Sequence, residues 1–309
     1  MGVAQFAGEV IQPIPLTVDL NARVVALGDR LFHDKRLSAD DSLACAGCHG
    51  LDKGGTDQAK SSTGVGGKVG PIAAPTVYNS SYNHVQFWDG RAADLVEQAD
   101  GPVNNAIEMA SNWEQAIGKI KDDPCYAPAF ADLYTDGMTE RNIRHAIATF
   151  EQSLITPNSP FDKYLMGDAN AVSERQRLGY RTYIAVGCGS CHMGVAAGGL
   201  QFEKMGKRAG YFKARGGPII KEDHGRFNFT GKDADRHFFK VPILRNIEVT
   251  FPYFHDGSAE NLSDAIDKMA VHQLGARLPK PQIADIEAFL LSLTGEYKGV
   301  PLTQIKATP

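Results

Sequence analysis

The sequence predicts a mainly α-helical fold made of two similar halves with long loops. The motif Cys-x-x-Cys-His occurs twice, at residues 45–49 and 188–192. Each copy is followed by a matching series of proline, asparagine and Asp-Gly. Apolar residues recur at helical spacing in much of the remaining chain. A chain of 309 residues is long enough for two halves of roughly 150 residues, each with its own core.

The repeated cysteines indicate a covalently bound cofactor. Four of the five cysteines lie in the two motifs. Cys-x-x-Cys-His is the attachment signature of c-type haem: the two thiols bond to the vinyl groups and the histidine ligates the iron. A zinc site would gather four ligands at one centre, and a redox dithiol does not need the histidine. We therefore predict two covalent c-type haems, bound by Cys45, Cys48 and His49 and by Cys188, Cys191 and His192.

A second repeat relates the two halves. Residues 74–90 begin Ala-Pro-Thr-Val-Tyr-Asn and end Phe-Trp-Asp-Gly, and residues 241–257 begin Val-Pro-Ile-Leu-Arg-Asn and end Phe-His-Asp-Gly. The shared order and spacing predict two cytochrome c-like haem domains related by duplication. The boundary is placed at the Thr-Pro-Asn-Ser-Pro stretch, which gives domains 1–157 and 158–309. The C-terminal tail is expected to pack back on the first domain.

Helical periodicity places the main elements. One face of the first predicted helix carries Leu20, Val24, Leu27 and Leu31. Stretches 50–86 and 193–253 are rich in Gly, Pro and Asn and are predicted to be loops that wrap a cofactor. The predicted helices span residues 17–32, 91–99, 111–121, 139–154, 172–186, 261–272 and 282–293.

Composition narrows the functional classes. The formal net charge of −4 does not suggest a nucleic-acid partner. The sequence contains no run of 18 apolar residues, so we expect no membrane span. The N-terminus lacks the pattern of a signal peptide, and we interpret it as a mature or recombinant start. Haem attachment of this kind implies export, which predicts a periplasmic location.

The two halves differ in the segment after Asp-Gly. In the second half a predicted helix carries Met269, whereas in the first half the segment leads to Glu108. His/Met ligation raises the reduction potential of a haem and closes its iron to substrate. A carboxylate near the first haem suits proton transfer to and from peroxide. The first haem is therefore expected to do the chemistry, and the second to receive electrons.

A longer series of short motifs runs through both halves. Its members include Phe32-x-Asp34-x-Arg36-Leu37-Ser38, Ala74-Pro75-Thr76, residues 86–92 (Gln-Phe-Trp-Asp-Gly-Arg-Ala), Glu108-Met109, Lys240-Val241-Pro242, residues 252–257 (Pro-Tyr-Phe-His-Asp-Gly) and Gln273-Leu274-Gly275. This series resembles the bacterial dihaem cytochrome c peroxidases over nearly the whole chain. The resemblance implies reduction of hydrogen peroxide to water, with electrons from a small cytochrome c or copper protein, and a homodimer.

The resemblance also implies residue roles. His49 would be the proximal ligand of the low-potential, peroxidatic haem, and His192 and Met269 would ligate the high-potential haem. Glu108 is implied as the acid/base and Gln98 as a hydrogen-bonding residue of the distal pocket. Trp88 is implied as the aromatic bridge between the haems.

The chain departs from the family pattern at two positions. Studied relatives block the resting peroxidatic iron with a histidine, where this chain has Val65, which cannot ligate iron. The family also binds calcium between its domains through an asparagine side chain, carbonyls and waters. The carbonyls correspond to Thr250 and Pro252, but Ala73 replaces the asparagine. The resemblance thus implies calcium with a weakened ligand set.

Alternative interpretations remain open for some residues. Met109 could be the sixth ligand of the first haem, as the repeat partner of Met269. His84 could be a replacement distal ligand or a loop histidine, and we favour the loop. Trp88 could be a core aromatic. His255, its repeat partner, could touch a haem propionate or the interface between domains.

Two other functions compete with peroxidase activity. A MauG-like oxidase would modify a partner protein, but that family has tyrosine where Met269 stands. An electron-transfer cytochrome would carry no substrate chemistry, and the presence of Glu108 together with a non-ligating Val65 argues against it.

Overall fold

The computed structural model describes residues 8–305. Helices dominate this part of the chain, as the sequence predicts. They are α1 Ala22–Phe32, α2 Cys45–Cys48, α3 Leu95–Gln98, α4 Asp100–Asn104, α5 Trp113–Ile120, α6 Ala127–Leu133, α7 Glu140–Ser153, α8 Pro160–Leu165, α9 Glu174–Val186, α10 Tyr211–Arg215, α11 Phe227–Thr230, α12 Leu262–Met269 and α13 Lys280–Leu291. The short strands β1 Phe202–Lys204 and β2 Phe238–Lys240 pair antiparallel, as do β3 Glu296–Tyr297 and β4 Val300–Pro301.

A pair of packed helices, α1 and α7, forms the frame of the first half. The Asn21 side chain caps α1 by accepting hydrogen bonds from the backbone of the first turn, and Thr139 caps α7 in the same way. Gly28 lies where the helices cross, and a Cβ there would overlap the carbonyl of Ala146. The glycine therefore allows the two backbones to approach closely.

The second half repeats this arrangement with α9 and α13. Ser173 and Gln176 form a capping box at the start of α9. Gly179 lies at the crossing, and a Cβ there would overlap the carbonyl of Asp285. Both helix pairs thus depend on a glycine facing a carbonyl of the later helix.

Each helix pair contributes to its own apolar core. The first core includes Leu31, Phe130 and Phe150, and the second includes Tyr183 and Phe289. The terminal segments cross over between the cores. Leu302, near the C-terminal end of the described chain, is buried in the first core, whereas Ile11 is buried in the second.

A buried hydrogen-bond network lies at the junction of the halves. The Asn79 amide donates to the Thr156 hydroxyl over 2.7 Å, and the Asn246 amide donates to the same oxygen over 2.9 Å. Asn79 and Asn246 occupy matching positions in the sequence repeat. The repeated asparagines therefore meet at a single residue between the two cores.

The observed elements refine the predicted ones. The first helix begins at Ala22 rather than at residue 17, because Asn21 caps it. Stretch 50–86 contains only short 3₁₀ turns, whereas stretch 193–253 also contains β1, β2, α10 and α11. Strands of three residues are too short to show periodicity in a sequence. Within residues 8–305, none of the helices is both long and apolar enough to cross a bilayer.

Candidate functional site

The two Cys-x-x-Cys-His motifs form similar tight turns. In the first half Cys45–Cys48 is a single helical turn, and the His49 backbone N–H donates to the Cys45 carbonyl over 2.9 Å. In the second half α9 ends at Gly187, whose positive φ of 98° suits glycine. The turn that follows lets the His192 N–H donate to the Cys188 carbonyl over 3.1 Å. Each histidine is thus held directly beside its two thiols.

Both histidines are oriented by a backbone carbonyl. The His49 Nδ1 lies 3.3 Å from the Gly55 carbonyl oxygen, and the His192 Nδ1 lies 3.1 Å from that of Pro242. A hydrogen bond at Nδ1 fixes the tautomer that leaves Nε2 free to ligate a metal. Burial lowers the pKa of both imidazoles, that of His192 to about 4. Both rings are therefore neutral near pH 7, as iron ligation requires.

The second half contains a cavity of about 240 Å³ next to its motif. Cys188, Cys191 and His192 line the cavity, and so does Met269, the last residue of α12. Asn261 caps this helix, whose residues Leu262, Ala265 and Ile266 also line the cavity. The mainly apolar wall fits a flat aromatic macrocycle. His192 and Met269 therefore face one space, which supports their prediction as axial ligands.

Trp88 connects the first half to this cavity. Its ring lines the cavity, and its Nε1 donates to the Ala73 carbonyl over 3.0 Å. Its own carbonyl accepts a hydrogen bond of 2.8 Å from the Lys240 backbone. The His255 ring lies edge-on, with the ring centroids 6.4 Å apart. Trp88 is thus held by residues of both halves, as a bridging role requires.

Glu108 is half-buried in the first half. The Asn105 side chain donates to the Glu108 carboxylate over 2.6 Å. Burial raises the pKa of Glu108 above its usual value, although the Asn105 hydrogen bond and the charge of Arg91 oppose this shift. Glu108 is close enough to Cys48 for its charge to raise the pKa of that thiol, after the larger effect of burial. The carboxylate therefore lies beside the first haem-binding motif.

The turn that carries Val65 is docked against the Glu108 segment. The Val65 N–H donates to the Glu108 carbonyl over 2.8 Å. A Cβ on Gly64 would overlap the carbonyls of Ile107 and Glu108, so that position requires close backbone contact. Lys68 closes the turn by donating its ammonium to the Ala106 carbonyl over 2.8 Å. The structure thus places a valine beside the acid/base candidate.

The two alternative ligands of the first haem have other contacts. Met109 is 3% exposed and packs in the first apolar core. The His84 Nδ1 lies 2.6 Å from the Gly199 carbonyl oxygen, and its ring packs edge-on against Phe202. These contacts favour a core methionine and a loop histidine.

Comparisons with known proteins agree with this geometry. The family model of the di-haem cytochrome c peroxidases matches residues 22–170. Cytochrome c551 peroxidase of Nitrosomonas europaea is 45% identical over 291 residues, which cover 94% of this chain and 85% of that protein. The chain belongs to the di-haem cytochrome c peroxidase family. Cytochrome c peroxidase Ccp of Escherichia coli is 48% identical over 94% of this chain, but the match spans only 62% of that longer protein.

Solved structures show the same fold. A MauG-like protein associated with microbial copper homeostasis has a TM-score of 0.79 and 28% identity, and the match covers 93% of each chain. The diheme peroxidase BthA of Burkholderia thailandensis has a TM-score of 0.71 at 18% identity, which supports the fold alone. Family membership implies two haems in this peroxidase.

Gln98, unlike the other residues predicted for the peroxidatic site, has no contact in the described part of the chain that supports its predicted role. It is the last residue of α3 and is half-buried. Within residues 8–305 its side-chain amide makes no hydrogen bond, to Glu108 or to any other residue. Its predicted role in the distal pocket therefore has no support from a contact to Glu108.

The calcium ligands predicted for this peroxidase fit poorly. Ala73 is buried and offers no side-chain oxygen, and its carbonyl already accepts the Trp88 indole hydrogen bond. Thr250 and Pro252 line the large cavity. Two carbonyls fall short of the six to eight oxygens that calcium takes. The residues present therefore do not form a calcium site of the expected kind.

A buried ionic network behind Trp88 was not predicted from the sequence. Arg215 donates to Asp223 over 2.7 Å and to Asp256 over 2.9 Å, and the His255 Nε2 lies 2.9 Å from Asp223. Burial alone would raise the pKa of Asp223, but the hydrogen bonds from Arg215 and His255 hold it well below its usual range. The two aspartates and His255 are close enough to hold a metal, but the Arg215 guanidinium already forms ion pairs with both carboxylates. The only hint of this network in the sequence was that His255 occupies the position of the repeat that matches Trp88.

Proposed function

We propose that this di-haem peroxidase reduces hydrogen peroxide to two waters, using two protons and two electrons from a small cytochrome c or copper protein. One observation carries the proposal. Both halves hold a histidine in the same way, yet Met269 shares a cavity with His192, whereas in the first half the Val65 turn is hydrogen-bonded to Glu108, whose charge reaches Cys48 of the first motif. One site is built for electron transfer and the other for chemistry.

The motif cysteines would bind the haems covalently, and the iron would be held by His49 in the first half and by His192 and Met269 in the second. When bound, they supply the iron centres that accept electrons and cleave the peroxide bond. Trp88 would place an aromatic ring between the two sites. The protein contributes the orientation of each imidazole, the closed wall at Met269 and the proton chemistry at Glu108.

Glu108 would accept a proton from bound peroxide and return it to the leaving oxygen. The Asn105 hydrogen bond fixes one carboxylate oxygen, which leaves the other for substrate. A raised pKa brings a carboxyl group closer to the working pH, which improves proton transfer in both directions. Gln98 would orient the peroxide if its unpaired amide turns toward that pocket.

The remaining assignments follow from this function. Covalent c-type haem implies export, so we propose a periplasmic location. We also propose two domains related by duplication, 1–157 and 158–309, which the matching glycine crossings at Gly28 and Gly179 support. A homodimer completes the proposal by resemblance.

MauG-like oxidation of a partner protein is the second candidate. The fold similarity to a MauG-like protein favours it. Met269 on the cavity wall argues against it, because the resemblance places a tyrosine there in that family.

Steady-state turnover tests the proposal. Purified protein with two haems per chain is mixed with a reduced mono-haem cytochrome and hydrogen peroxide, and cytochrome oxidation is followed by absorbance. We expect two cytochromes to be oxidised per peroxide. The Glu108→Gln holoprotein serves as the matched control for non-enzymatic oxidation. Wild-type rates no faster than this control would contradict the proposal.

A further inference from the structure

Lys240 is a buried cation in an otherwise apolar wall. It is the last residue of β2, is 6% exposed, and lines the cavity that also contains His192 and Met269. Its backbone N–H is bound to the Trp88 carbonyl, which fixes its position. Within residues 8–305 its ammonium group makes no ion pair with a carboxylate and no hydrogen bond. The side chain is therefore buried without a counter-charge.

The cavity wall offers no carboxylate to pair with this lysine. Among residues 8–305, Glu203 is the only acidic residue that lines the cavity, and it binds Lys207 over 3.1 Å. Glu203 also pairs with Phe239 across the β1–β2 ladder, whereas Lys240 pairs with Phe202. Successive residues of a strand point to opposite faces, so Glu203 and Lys240 point away from each other. Burial lowers the pKa of Lys240 to about 7, because no anion offsets the cost.

We propose that Lys240 binds a carboxylate carried by the occupant of this cavity, namely one propionate of the C-terminal haem. The inference rests on the proposed two-haem function. A buried ammonium is stable only when it is paired and hydrogen-bonded, and a propionate is the anion that a haem brings with it. The Lys240 backbone is hydrogen-bonded to Trp88, so the pair would lie close to the first half.

The pair affects the reduction potential of the second haem. A propionate without its cation leaves a negative charge near the iron, which stabilises the ferric state. Lys240→Met keeps the length of the side chain in an apolar wall but removes the charge. We expect it to lower the equilibrium constant for reduction of the His192/Met269 haem about tenfold, which is roughly 59 mV for one electron. Lys240→Arg should retain most of the wild-type potential.

Spectroelectrochemistry of the holoprotein tests this inference, with resonance Raman spectra as a second readout. In Lys240→Met the propionate bending band of the low-spin haem should shift, and in Lys240→Arg it should stay close to that of the wild type. Lys213→Gln, which removes an exposed charge of the same half, should change neither measurement.

The outcomes separate this inference from the proposed function. A wild-type protein without two bound haems would overturn the proposed function itself. Two bound haems with the same potential and the same propionate band in Lys240→Met would overturn the role of Lys240 alone. If Lys240→Met does not retain the second haem, Lys240→Gln takes its place. Loss of that haem from both neutral variants but not from Lys240→Arg supports the pairing, and loss from all three contradicts it.

Discussion

The two halves of the chain hold their histidines alike but differ in what accompanies them. In each half a tight turn places the histidine beside two thiols, and a carbonyl binds its Nδ1. In the second half the helix α12 closes the site with Met269. In the first half a glycine-rich turn is hydrogen-bonded to Glu108, whose charge reaches the Cys48 thiol of the motif. The two halves therefore hold the histidine in the same way, and they differ in the segment that faces it.

The surroundings of Met269 and of Glu108 also differ in polarity. The wall near Met269 is built from a capped helix with an apolar face, which excludes water and favours an electron-transfer site. The pocket of Glu108 combines a half-buried carboxylate, the Asn105 amide and the charge of Arg91. Polar groups of this kind can hold a proton next to a substrate.

The largest expected effect comes from Glu108. Glu108→Gln should lower peroxide turnover by about 10² or more, the loss typical of a missing acid/base, while both haem spectra stay unchanged. Wild-type activity should also fall as the pH drops through the pKa of Glu108, which lies above its ordinary value of 4.5, because the protonated acid cannot accept a proton. Steady-state rates between pH 4 and 8 measure both effects.

Glu114→Gln is the matched control, because Glu114 is an exposed acid on the nearby helix α5. It should keep the wild-type rate and the wild-type pH profile. Near-normal turnover of Glu108→Gln at saturating peroxide would remove Glu108 from the mechanism.

The next effect concerns Met269. Met269→His should leave both haems attached and lower the potential of the second haem by on the order of 100 mV, since axial ligands set potentials over a range of ~0.8 V. A nitrogen ligand stabilises ferric iron better than thioether sulfur. Donor-driven turnover should then fall. A redox titration that returns the wild-type potential would show that Met269 is not a ligand.

A smaller effect is expected at the helix crossings, where the halves are most alike. Gly28→Ala and Gly179→Ala should each lower the free energy of unfolding by about 1–3 kcal/mol, because the added Cβ overlaps a carbonyl. Gly118→Ala is the control, since a Cβ there meets nothing within 4 Å. Chemical denaturation of the holoproteins measures the difference. Equal free energies of unfolding for all three variants would show that the two helix crossings do not require glycine.

Much of this architecture could be predicted from short-range signals. The haem motifs, the helical periodicity and the Asp-Gly repeat all lie within about a dozen residues, so the two halves and their histidines are visible in the sequence. The contact between Glu108 and Val65 was not predicted, because the two residues are 43 positions apart in the sequence. Their contact depends on how a loop returns to the site.

Other features depend on tertiary contacts that leave little trace in a sequence. Lys240 lies in a three-residue strand, and its lack of a counter-charge is visible only once the cavity walls are known. The ionic network of Arg215 joins α10 to Asp223 and Asp256, which lie 8 and 41 positions after Arg215 in the sequence. The sequence predicted that the C-terminal tail packs on the first half, but it did not show that Leu302 is the buried residue.

We expect the first site to be open to peroxide in the fully oxidised protein, because Val65 stands where the family resemblance implies a blocking histidine. Its turn is held against Glu108 by backbone hydrogen bonds, and Met109 and His84 have other partners. Val65→His provides the sharpest comparison. That variant should have two low-spin haems and should not react until one electron is added.

Stopped-flow mixing of the diferric protein with one equivalent of hydrogen peroxide tests this claim most directly. We expect the resting protein to contain one high-spin or water-bound haem and one low-spin haem, and its Soret band to change rapidly without prior reduction. Two low-spin haems in the resting state, with no Soret change until one electron is supplied, would contradict the account.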